Sequence, residues 1–285
     1  MKSIKKGRFF VLFIVVFTLV LSFAFISKAT PPDRSVLKYL GSFPTSGFSP
    51  DGLVYDPKGN CLIAVHVASP FFSQGMYVVD LDGTLKAFHP FPDDAPCVGL
   101  DITRVMNGSK AGHFFVLGFS DVGNPDQGDF EAEVEALELD RDLTPLSVFH
   151  VTIPYGGDPG DGVAYNPFSR TLLITDQWAN KLHEITIDGE WVGSTEIAAG
   201  CSPYAGITFN VSTGTYFGVE HNGRFLAEFD GDTNLIRTFD LRAYGVQQPV
   251  GVTCGQGKIF IADQLSYPFT GTGGFIHVFR SPTPY

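Results

Sequence analysis

Basic residues are scarce in this 285-residue chain: 19 Lys and Arg stand against 30 Asp and Glu, for a formal charge of −11. A surface of that sign repels phosphate backbones, which argues against nucleic acid as a partner. Cysteine is also sparse, with four residues and no C-x-x-C pair, so zinc-ribbon spacing is excluded. The chain carries no nucleophile elbow, no P-loop and no dinucleotide fingerprint, which removes the motif-bearing hydrolases, NTPases and nicotinamide enzymes. The acidic stretch Ser120–Glu133 holds Asp121, Asp126, Asp129, Glu131 and Glu133, yet lacks EF-hand spacing and reads as a solvated flap.

One long uncharged run is present. Phe9–Ile26 follows the basic residues Lys2, Lys5, Lys6 and Arg8 and precedes Ser27-Lys28-Ala29. Residues 1–29 therefore read as a cleaved signal peptide, or as an uncleaved anchor with residues 9–26 in a membrane. Either way residues 30–285 form one domain outside the cytoplasm, secreted or tethered only by that segment. Without residues 1–29 the charge moves to −16, from 14 basic and 30 acidic residues. Exported cysteines can be oxidised. Cys61 and Cys254 are expected on the same face of adjacent repeats, and Cys97 and Cys201 in loops of the second and fourth. Asn107-Gly108-Ser109 and Asn210-Val211-Ser212 are glycosylation sequons in a eukaryotic host.

Glycine and proline are plentiful, at 32 and 19, as an all-β chain with many tight turns requires. A phrase of Pro, then Gly, then an apolar run recurs at Pro50–Leu53, Pro96–Leu100, Pro159–Val163, Pro203–Ile207 and Pro249–Val252. Its glycines, Gly52, Gly99, Gly162, Gly206 and Gly251, lie 47, 63, 44 and 45 residues apart. Repeats of this length built from short strands indicate a propeller. Each repeat divides into four strands, a to d. In the third these are 162–165, 172–175, 182–187 and 191–197, with Asp188-Gly189 between c and d; Asp82-Gly83 and Asp230-Gly231 are read at the same turn in the first and fourth. The second repeat is stretched between b and c. The last has no room for strand d, and Val36–Phe43 precedes the first repeat without a blade of its own. An unclosed propeller leaves bare strand edges, so Val36–Phe43 is expected to complete the last blade. The fold is thus all-β, a propeller of five four-stranded blades closed by the N-terminal strand, with six blades as the alternative if the second repeat hides strands.

Pro159–Gly162 together with Thr175-Asp176 and Asn180-Lys181-Leu182 resembles the NHL-repeat and SMP-30/gluconolactonase-like propellers. Pro50–Gly52 with Pro57–Asn60, and Ile261-Ala262-Asp263, resemble them in part. The resemblance spans roughly residues 47–280 and implies a propeller, more often of six blades. It also implies a divalent ion at the channel mouth, held by acidic and amide side chains, that polarises a lactone or ester carbonyl while a carboxylate acts as base.

The d–a and b–c loops of a propeller open on one face, the default ligand site. Residues ending strand b are His66, Gly118, Asp176, Glu220 and Asp263, and the d–a loops add Asp51, Cys97, Asp161 and Tyr204. Carboxylates facing one channel repel, and Ca2+ or another divalent cation relieves that repulsion. Asp176, Glu220 and Asp263 are therefore expected to converge as metal ligands, with Glu220, His221 and His66 as candidate catalytic groups and Gln177 and Gln264 as the nearby amides. Alternatively each carboxylate closes its own b–c turn. Asp51, Asp161, Tyr204, Phe72 and Phe269 are candidate ligand contacts, the two phenylalanines forming an apolar lip. Two readings follow: a propeller that binds a small molecule or protein on the loop face, and a metal-dependent lactonase or esterase.

Overall fold

The computed structural model describes residues 37–45, 48–66, 73–93, 98–120, 131–154, 159–176, 179–197, 205–264 and 273–282. The chain divides into two compact units, Met1–Asp33 and Arg34–Tyr285, and only the second lies among the described residues. The expected leader and anchor at residues 1–29 fall outside them. Among the described residues no helix is long and apolar enough to cross a membrane.

The second unit is a five-bladed β-propeller. The first blade is β2 (Gly52–Asp56), β3 (Cys61–His66), β4 (Gly75–Asp80) and β5 (Leu85–Pro90). The second is β6 (Val98–Arg104), β7 (Phe114–Ser120), β8 (Glu131–Leu139) and β9 (Pro145–Pro154). The third is β10 (Pro159–Asn166), β11 (Thr171–Asp176), β12 (Lys181–Thr186) and β13 (Trp191–Glu196). The fourth is β14 (Ile207–Asn210), β15 (Thr215–Glu220), β16 (Phe225–Phe229) and β17 (Leu235–Asp240). The fifth takes β18 (Pro249–Gly255), β19 (Lys258–Asp263) and β20 (Phe275–Arg280) from the C-terminal end and β1 (Tyr39–Pro44) from the N-terminal end. β1 runs antiparallel to β20, with Phe43 opposite Ile276. Closure by the N-terminal strand is as the missing strand d implies, shifted about two residues toward the C-terminus. Among the described residues the stretched repeat holds no sixth blade. Its extra length goes into a longer hairpin, with β7 and β8 paired out to Ser120 and Glu133 and β8 and β9 reaching nine and ten residues.

Strand b explains the core. β3 and β11 are buried at all six positions, because each lies mid-blade with another blade on either face. The apolar side chains accordingly fall into five clusters, each between neighbouring blades. Val54, Val65, Ile102 and Val116 join blades one and two, and Phe48, Leu62, Phe260 and Ile276 join blades five and one. The c–d turns share one geometry with a left-handed residue at a fixed place: Gly83, Leu143, Gly189 and Thr233, at φ 94°, 65°, 89° and 64°. In the fourth blade Thr233 takes that place, so Asp230-Gly231 is two residues out of register with Asp82-Gly83.

Candidate functional site

At the axis the inner strands meet backbone to backbone. A Cβ at Gly52 would lie 2.4 Å from the Cα of Asp101, one at Gly206 2.7 Å from the Cα of Gly251, and one at Gly251 3.0 Å from the Cα of Gly52. A Cβ at Gly162 would lie 2.3 Å from the Ala205 carbonyl oxygen. These four glycines are there because no side chain fits. The fifth place of the ring belongs to Asp101, not Gly99. A bulge between Val98 and Asp101 shifts β6, puts Asp101 opposite Leu117, and leaves Gly99 with a left-handed φ of 125°.

The Asp101 carboxylate occupies the space that the missing side chains leave. It accepts backbone N–H groups from Leu53 (3.3 Å) and Val163 (2.8 Å), with those of Ile102 and Ile207 also bonded to it. Each donor directly follows a ring position, and the four come from four different blades. Asp101 is 1% exposed. Burial pushes its carboxyl well above the usual carboxylate range, against the four N–H groups, which pull it down. At this level the axis is filled by backbone and one carboxylate, where the sequence suggested an acidic channel.

The expected site residues sit higher, where strand b ends toward the loop face. Asp176 and Asp263 behave alike. Asp176 Oδ1 accepts the Ala179 N–H at 2.8 Å, and its Oδ2 lies 3.0 Å from His183 Nε2. Asp263 accepts the N–H groups of Gln247 and Gln248, and its Oδ2 lies 3.1 Å from His277 Nε2. Both imidazoles continue outward: His183 Nδ1 is 2.7 Å from Ser194 Oγ on β13, and His277 Nδ1 is 3.3 Å from the Tyr39 hydroxyl on β1. An imidazole with its proton on Nε2 donates to the aspartate and accepts the hydroxyl at Nδ1. Each relay ties strands b, c and d of one blade. Asp176–His183–Ser194 has the residue types of a nucleophile triad. The fifth blade builds the same relay with a tyrosine at its end, so what the two share is the tie across the strands.

Glu220 closes its own turn, accepting the N–H groups of Asn222 (3.1 Å) and Gly223. Its neighbour His221 is half-buried. His66, 1% exposed, places Nδ1 3.0 Å from Asp51 Oδ2, and Gln264 Nε2 donates to Asp51 Oδ1. Asp51, His66 and Gln264 thus form one connected group across the seam of blades one and five. Asp176, Glu220 and Asp263 do not gather into one cluster: each binds backbone amides of a nearby turn, and Asp176 and Asp263 bind an imidazole as well. Among the described residues no group of three or more His, Cys, Asp or Glu side chains could hold a metal ion. Among the described residues the donor set does not fit the divalent ion that the resemblance implies.

Phe72, Phe269, Tyr204, Cys97, Cys201 and Gln177 lie outside the described residues, as does the side chain of Asp161, whose backbone is in β10. Cys61 and Cys254 are free thiols. Sequence reasoning passed over Asp101, His183 and His277. Asp101 stands two residues after the repeat's glycine, and both histidines occupy the third position of strand c.

No family model matches the chain, and no curated protein matches it in sequence. Solved structures match over most of its length. The PQQ-bound aldose sugar dehydrogenase of Streptomyces coelicolor is 15% identical, with 87% of this chain and 99% of that one covered and a TM-score of 0.57. Regucalcin, a calcium-binding protein of Agrobacterium tumefaciens, is 13% identical, covering 88% and 98%, at 0.51. A gluconolactonase of Xanthomonas campestris is 11% identical, covering 88% and 97%, also at 0.51. The likeness to SMP-30/gluconolactonase-like propellers therefore holds at the level of the fold.

Proposed function

We propose that residues 30–285 act outside the cytoplasm as a binding propeller, taking a small molecule or a protein on the loop face above the closed axis. The observation that carries this reading is that the strand-end acids are spent on the fold. Asp176, Glu220 and Asp263 each bind backbone N–H groups of nearby turns, and two of them bind a buried imidazole as well. Among the described residues the loop face carries a connected polar group near its mouth, Asp51 with His66 and Gln264, and the Asp51 side chain is 17% exposed. The run at residues 9–26 supports export.

A second reading is a hydrolase of the lactonase or esterase kind. It is favoured by the Asp51–His66 contact, an acid beside an imidazole at the ligand face, and by gluconolactonases among the proteins of similar fold. Elemental analysis of the purified domain, with a panel of lactones and aryl esters assayed with and without EDTA, separates the two. Binding without chemistry expects no stoichiometric metal and no turnover. Stoichiometric Ca2+ with turnover that EDTA removes would overturn it. Turnover that survives EDTA and falls in His66→Gln would support the Asp51–His66 hydrolase instead.

A further inference from the structure

On the opposite face, where the a–b turns lie, the axis opens into a cavity of about 260 Å³. Its floor is set two residues beyond the ring. Those positions hold Thr103, Thr208 and Thr253 in blades two, four and five. Thr103 Oγ1 accepts the Tyr165 N–H of the third blade at 3.0 Å, and Thr253 Oγ1 accepts the Tyr55 N–H of the first at 3.0 Å. Each hydroxyl therefore keeps its own proton for a further acceptor. Both side chains are more than nine-tenths buried and line the cavity.

The wall carries two cations and no carboxylate. Arg104 comes from the second blade, with Nε a loose 3.7 Å from Asp56 Oδ1. Lys258 comes from the fifth, half-buried at the start of β19, and forms no ion pair among the described residues. Cys254 also lines the cavity, and burial pushes its thiol up, so it adds no negative charge. A positive recess in a chain of net charge −11 draws small anions, while the surrounding acidic surface turns large polyanions away. The volume falls just below the range for drug-sized ligands. Val54 and Met106 supply apolar wall for the body of such a ligand.

We propose that this cavity binds a small organic anion, a carboxylate or phosphate head on a hydroxylated body, with Arg104 and Lys258 as the charge partners and the threonine hydroxyls as donors. The site is separate from the loop face, so its test is independent of the reading given above. Calorimetric titration of the mature domain with glucose 6-phosphate and with glucuronate, and with neutral glucose as control, decides the matter. At least one charged probe is expected to bind ten-fold or more tightly than glucose and to weaken as salt is raised. Lys258→Gln, half-buried at the start of β19, should leave the melting temperature within about 2 °C of wild type and weaken that probe at least ten-fold, with Arg104→Gln acting in the same direction. Failure of both charged probes to bind, or equal affinity in wild type and Lys258→Gln, would overturn the proposal.

Discussion

The axis and the loop-face rim both bury carboxylates, and they use them differently. At the axis Asp101 gathers N–H groups from four blades, so one side chain couples strands far apart in sequence. At the rim the acids that end strand b bind locally. Asp176 joins β11 to β12, and Glu220 serves two amides of the turn that follows it. The same residue chemistry is thus global in one place and local in the other. Loss of an axial contact should be felt throughout the propeller, and loss of a rim contact within one blade.

The largest expected effect is at the axis. Asp101→Ala leaves four buried N–H groups without their acceptor, and each such orphan costs about 1–3 kcal/mol. A domain of this size loses roughly 2–4 °C in Tm per kcal/mol, so calorimetry should show a fall of at least about 8 °C. A pH profile sharpens the point. The folded-state carboxyl is raised above 3.8, so its contribution to stability is fully present below that value and is lost as pH rises through the folded-state pKa. The gap in Tm between wild type and Asp101→Asn should therefore be widest in acid and narrow toward neutrality. A gap that widens with pH would show that the N–H groups outweigh burial.

A paired substitution tests whether space at the axis is what selects glycine. Gly52→Ala brings a methyl group to 2.4 Å from Asp101 Cα, against backbone that cannot swing aside. Overpacking of this kind costs typically about 1–3 kcal/mol. Gly193→Ala on the outer strand β13 meets nothing within 4 Å, and should change stability by less than about 0.5 kcal/mol in either direction. Urea midpoints of the two variants give the contrast directly, and equal midpoints would mean the ring is not close-packed.

At the rim, His183→Ala removes the imidazole between Asp176 and Ser194. The expected cost is about 1–3 kcal/mol, since a buried carboxylate loses a partner. Its reach is the informative quantity. Hydrogen exchange should speed up in β11 to β13 and stay near wild type in β18 and β19. Exchange that rises evenly around the propeller would erase the distinction between rim and axis.

Much of the architecture is legible because the repeat is written in residues that turns and close packing demand. The recurring Pro and Gly mark the entry to strand a, and the absent strand d of the last repeat points to β1. The hub was not legible for a reason inside the same phrase. Alignment on glycine puts Gly99 at the ring, but the bulge between Val98 and Asp101 slides the strand by two residues, and spacing alone does not reveal a bulge. The candidate metal site rested on equal offsets from strand b. Equal height in a blade does place Asp176, Glu220 and Asp263 alike, but it says nothing of what each side chain turns toward. His183 and His277 decide that for two of them. The signal was a histidine third in strand c of both repeats, in Lys181-Leu182-His183 and Phe275-Ile276-His277.

Among the rim carboxylates the smallest expected effect is at Glu220, and it carries the most weight for function. Its carboxylate accepts two turn N–H groups, Asn222 and Gly223. Glutamine keeps one oxygen to accept with and turns an N–H2 toward the other donor, so Glu220→Gln should cost about 0.5–1.5 kcal/mol. As a turn closer, Glu220 should give the same melting response to millimolar Ca2+ or Mg2+ as glutamine in its place. As a metal ligand it should not: an ion at a hundredfold excess over Kd adds about 2.7 kcal/mol to the folded state, a rise in Tm that the variant would lack. Melting curves of both proteins, each with and without the ion, separate the local cost from the linked one. A rise of several degrees in wild type alone would return Glu220 to a metal site and move the balance toward the hydrolase.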